Sequence, residues 1–83
     1  MPLDELPPEL ADEVELAAMD ALRGGVSPLT VSRLKRDLTV LLRRYNALAE
    51  VRVQARDGGV AALLILPDRR NRVKRIQLQF EAL

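Results

Sequence analysis

Apolar residues recur along this chain in two distinct periods. Between Pro8 and Arg23, Leu10, Val14, Ala17 and Ala21 are spaced four, three and four apart, with Ala18 and Leu22 beside them, which predicts an amphipathic helix over about 8–23. Pro7-Pro8 opens it, Glu9, Asp12 and Glu13 follow where the helix dipole favours anions, and Gly24-Gly25 closes it. Ser27-Pro28 has the form of an N-cap followed by proline in the first turn. From there Val31, Leu34, Leu38, Leu41, Tyr45 and Leu48 form a heptad seam, which predicts a second helix over about 28–50. The short link between the two helices predicts an antiparallel pair.

At Val51 the period falls to two. Val51, Val53 and Ala55 alternate with Arg52, Gln54 and Arg56, and Asp57-Gly58-Gly59 reads as a tight hairpin turn. Val60 to Leu66 is apolar throughout, as in a central strand covered on both faces. After Pro67, Ile76, Leu78, Phe80 and Ala82 alternate with Arg75, Gln77, Gln79 and Glu81. The pattern predicts strands over about 51–56, 60–66 and 73–81. The expected fold class is α+β: an antiparallel helix pair packed on one face of a three-stranded antiparallel meander, in the order ααβββ, as a single domain over residues 1–83. Of the two aromatic residues, Tyr45 and Phe80, the spacing places both in the core. The opposite sheet face would set Arg52, Gln54 and Arg56 on one side and Arg75, Gln77 and Gln79 on the other, about an aliphatic stripe of Ala61, Leu63 and Ile65. Another protomer or a ligand is expected to cover that stripe.

Composition narrows the chemistry. The 83 residues include neither Cys nor His, which removes disulfides, thiolate and imidazole metal ligands, a Cys nucleophile and a His base. No hydroxyl residue lies in a G-x-S-x-G turn, and the glycine pairs lack the spacing of phosphate-binding loops. The expectation is a protein without enzymatic activity, cofactor or metal. The longest apolar run, seven residues from Val60 to Leu66, is too short to span a bilayer, and the acidic, proline-containing start lacks the plan of a signal peptide, so a cytoplasmic location is expected.

Charge then sharpens the functional reading. Net charge is +1, yet residues 1–26 carry −6, residues 27–50 carry +3 and residues 51–83 carry +4. Five cations fall within the nine residues from Pro67 to Arg75: Arg69, Arg70, Arg72, Lys74 and Arg75. Such density is the footprint of phosphate contacts. With Arg52, Arg56, Gln77 and Gln79 on the sheet face, these residues form the expected nucleic-acid-binding site. Arg33, Arg36, Arg43 and Arg44 lie within about a third of the circumference of the second helix and form a secondary basic face. The acids Glu9, Asp12, Glu13 and Glu15 are read as dipole compensation and solubility.

The segments Leu41-Leu-Arg-Arg-Tyr45 and Arg75-Ile-Gln-Leu-Gln-Phe80, in a small Arg-rich, Cys-free helix pair followed by an antiparallel sheet, give the chain an outline similar to the archaeal ThermoDBP-related proteins. That resemblance implies an oligomeric, non-enzymatic protein that binds single-stranded nucleic acid, DNA or RNA, in a groove of basic and aliphatic side chains. The words Gly25 to Leu38, with the hairpin at Asp57-Gly58-Gly59, also resemble the recognition helix and wing of a winged-helix domain, which would imply duplex DNA binding. A third alternative is an oligomeric protein-interaction or adaptor module with the heptad seam and the aliphatic sheet stripe as its interfaces, and a further one has the acidic first helix dock on the basic surface of a second subunit.

Overall fold

The computed structural model describes residues 6–67, 70 and 72–82. They form α1 (Pro8–Leu22), α2 (Pro28–Tyr45), β1 (Glu50–Arg56), β2 (Gly59–Pro67) and β3 (Val73–Glu81), the expected α+β arrangement. The sheet is antiparallel in the order β1-β2-β3.

In α1 the buried positions are Leu10, Val14, Ala18 and Leu22, a stripe of four-residue steps. The chain then reverses through residues 23–27. Gly25 takes a φ of 86° there, and its amide donates to the Leu22 carbonyl at 3.0 Å. The same turn starts α2: Ser27 Oγ accepts from the Thr30 amide at 3.2 Å, and the buried Thr30 hydroxyl donates to the Gly25 carbonyl at 2.9 Å. One threonine thus holds the end of the link and the N-terminus of the next helix together.

The second helix is shorter than the seam suggests. It stops at Tyr45, where Asn46 turns extended with φ −145° and ψ 109°. Asn46 explains the stop. Its Oδ1 accepts from the Leu48 amide at 3.0 Å and its Nδ2 donates to the Pro67 carbonyl at 2.8 Å, so the side chain offers the backbone partners that a further helical turn would have to replace. The seam itself is also displaced. Thr30, Leu34, Leu38 and Leu42 are buried, Val31 and Leu41 are half-buried, and Tyr45 and Leu48 are exposed by 56% and 71%. A helix wedged between α1 and β1 needs an apolar arc wider than a two-position seam. Tyr45 is therefore not a core residue, and Phe80 is only partly buried at its edge.

Strand register separates the two sheet faces cleanly. Val51, Leu64 and Ile76 lie side by side across the sheet, as do Val53, Ala62 and Leu78, and Ala55, Val60 and Phe80. Most of these residues join Leu6 and the helix stripes in one core cluster. The β1–β2 loop is only Asp57 and Gly58, with Gly58 at φ 75°. A Cβ on Gly59 would collide with the Phe80 carbonyl oxygen and lie 3.0 Å from the Glu81 Cα, both backbone atoms of the neighbouring strand. Gly59→Ala should therefore cost about 1–3 kcal/mol in chemical denaturation. Gly24→Ala, where a Cβ meets nothing within 4 Å, should cost less. Equal effects would show that the close strand approach is not a constraint.

Candidate nucleic-acid interface

The bond from Asn46 Nδ2 to the Pro67 carbonyl fastens the C-terminus of α2 to the point where the basic connector leaves β2. It sets the last turn of α2 near the start of the connector in space. The connector supplies Arg70, Arg72, Lys74 and Arg75, all exposed, whereas Arg69 lies outside the described residues. The last turn of α2 contributes Arg43 and Arg44. Arg43 Nε donates to the Ala49 carbonyl at 3.4 Å, which leans that side chain over the α2–β1 turn. Tyr45 stands beside them with more than half its surface in solvent.

The secondary basic face expected along α2 therefore divides. Arg43 and Arg44 belong to the connector end. Arg33 lies 3.9 Å from Asp20 of α1, and Arg36 lies 3.8 Å from its neighbour Asp37. These two exposed pairs contribute little to stability, but each places a carboxylate beside the cation that a phosphate would need.

The outer sheet face, turned away from the helices, carries the remaining expected residues. Arg52, Leu63 and Gln77 form one row across the strands, and Gln54, Ala61 and Gln79 the next. Arg52, Gln54, Arg56 and Gln77 rim a shallow groove of about 260 Å³ floored by Ala61 and Leu63. All four rim residues are exposed, and the sequence reading placed them on this face correctly.

Two carboxylates change its electrostatics. Glu50, read from sequence as the end of the second helix, instead opens β1 and lies across Ile65 from Arg75. Glu81 lies across Gly59 from Arg56. Three arginines thus share the face with two glutamates, and opposite charges occupy neighbouring corners. Beyond the Glu50–Ile65 pair the sheet face continues only through Pro67 and Val73, because Leu48 lies in the turn closed by the bond from the Ala49 amide to the Asn46 carbonyl. A sequence signal for the place of Glu50 existed, because the alternation of period two already runs through Leu48, Glu50 and Arg52.

Elsewhere, Glu15, Met19, Arg23 and Phe80 border an apolar groove of about 540 Å³ between α1 and the end of β3. Ser32 and Lys35 have the S-x-x-K spacing of some serine acyl enzymes. Both are exposed on α2 and neither borders either groove, so the pair lacks the enclosure a nucleophile requires. Among the described residues no group of three or more acidic side chains is placed to hold a metal ion, and no helix is long and apolar enough to cross a membrane. The chain matches no protein-family model, no curated protein and no solved structure.

Proposed function

We propose that this protein binds single-stranded nucleic acid without catalysing a reaction and with little sequence preference, holding phosphates at the end where the β2–β3 connector meets the C-terminus of α2. The observation that carries this reading is the Asn46–Pro67 bond, which fastens the end of α2 bearing Arg43, Arg44 and the exposed Tyr45 to the start of the basic connector. Phosphate contacts supply affinity without sequence information, and an accessible aromatic face supplies base stacking. Together these are the two parts of a sequence-tolerant single-strand site.

Weight moves within the expected footprint. The outer sheet face, with its two glutamates, is a poorer phosphate track than the connector. Duplex reading is disfavoured by the division of the α2 cations, because Arg33 and Arg36 already sit beside carboxylates. The similarity in outline to ThermoDBP-related proteins points the same way.

Fluorescence anisotropy with single- and double-stranded oligonucleotides at two salt concentrations tests the reading. Single strands should bind more tightly, with affinity falling as salt rises by about 0.7 in logarithmic slope per phosphate engaged. Tyr45→Ala should lose about 1–3 kcal/mol, and Tyr45→Phe should keep most of it. Preference for the duplex, or no binding at physiological salt, would overturn the proposal.

A further inference from the structure

We infer that the outer sheet face is the contact between two copies of this chain, related by a two-fold axis that lies between the faces and runs parallel to the strands. The warrant is the distribution of side chains on the two edge strands. Such an axis lays β1 of one copy over β3 of the other, position by position, while β2 faces β2. Glu50 then meets Arg75 of the second copy, and Arg56 meets Glu81, each pair occurring twice by symmetry. In the two rows between these corners Arg52 meets the amide of Gln77, and Gln54 meets Gln79. At the connector end Val73, 44% exposed, pairs with Pro67 and extends the apolar stripe. Down the middle, Ala61, Leu63, Ile65 and Pro67 pack on themselves.

The four rows from Glu50 to Arg56 are matched in chemistry, and Glu50, Arg56, Arg75 and Glu81 form no ion pair with other described residues. The other in-plane axis, perpendicular to the strands, also brings opposite charges together. It pairs Glu50 with Arg56 and Arg75 with Glu81, but it leaves the apolar end of Pro67 and Val73 over the polar end of the sheet at the Asp57-Gly58 loop. The parallel axis alone satisfies both the charges and the apolar end.

The contact is small. Three strands about 4.8 Å apart and some nine residues long offer roughly 400 Å² per copy, near half of a standard interface side. A reversible, concentration-dependent and salt-sensitive dimer is the expected result. The inference shares only Arg75 with the connector cations of the nucleic-acid reading, and this axis would bring both connectors to the same end of the pair.

Sedimentation velocity without nucleic acid, over protein concentrations from about 1 to 500 µM, measures it directly. Arg56→Glu alone and Glu81→Arg alone should each remain monomeric, because each sets like charges against each other at two corners. An equimolar mixture of the two variants should recover the dimer, since every corner is then opposite in charge. The double variant Arg56→Glu/Glu81→Arg should dimerise as the unmodified chain does. Under the perpendicular axis the mixture would stay monomeric, so that outcome overturns the proposed arrangement. A monomer at every concentration of the unmodified chain overturns the interface altogether. Glu81 is exposed, lies at the opposite end of the sheet from the connector and is no part of the expected nucleic-acid site, so oligonucleotide binding by the Glu81→Arg variant reports separately on that site.

Discussion

Replacing Arg70, Arg72 and Lys74 together with Glu should lower affinity for a single-stranded oligonucleotide by at least about 100-fold and flatten its salt dependence. Hydrogen bonds to charged partners contribute about 1.5–3 kcal/mol when well formed, and solvent exposure of all three residues reduces that several-fold. Even at about 1 kcal/mol each, loss of three contacts gives a factor near 100, to which reversed charge adds repulsion. Losing three phosphate contacts should also reduce the logarithmic salt slope by about 2. Gln at the same positions should fall between the two, removing attraction without adding repulsion. Circular dichroism should show the fold intact, because the three side chains lie outside the core. Binding unchanged in the Glu variant would remove the connector from the site.

Leu64→Ala should be the most damaging single truncation in the sheet. Leu64 is fully buried at the centre of β2, between Val51 and Ile76. Truncating such a leucine costs about 2–5 kcal/mol, and a chain of this size is held together by roughly 4–12 kcal/mol, so urea denaturation should show a large fraction of the stability lost. Leu63→Ala is the matching control: the adjacent residue points to the other face and keeps contact with solvent. It should cost under about 1.5 kcal/mol in the monomer. If Leu63 proved the costlier of the two, the strand would be out of register by one residue.

Much of this architecture is legible in the residues because strand alternation and helix periodicity report on burial directly. The uniform run from Val60 to Leu66 marks the central strand, and the alternation on either side assigns each face without ambiguity. The end of α2 is harder to read. Leu48 continues the helical spacing and the strand alternation equally well, and only the bonds of Asn46 to Leu48 and to Pro67, a residue distant in sequence, decide between them. That decision carried two further assignments with it: Glu50 joined the sheet, and the face that looked basic became one of alternating sign. The candidate site was legible as a list of cations; what the residues do not reveal is that Asn46 bonds the end of α2 to Pro67, at the start of the connector.

The meander has a consequence for how quickly the fold can form. Each strand pairs only with its neighbour in sequence, and the closing loop of the first hairpin is two residues long. The helix pair likewise closes over a link of five residues. Little chain entropy is therefore lost before each native contact is gained, and the topology belongs with those that fold in milliseconds or faster. Docking of α1 near the end of β3 brings the first element to the last, and it is the step with the longest loop to close.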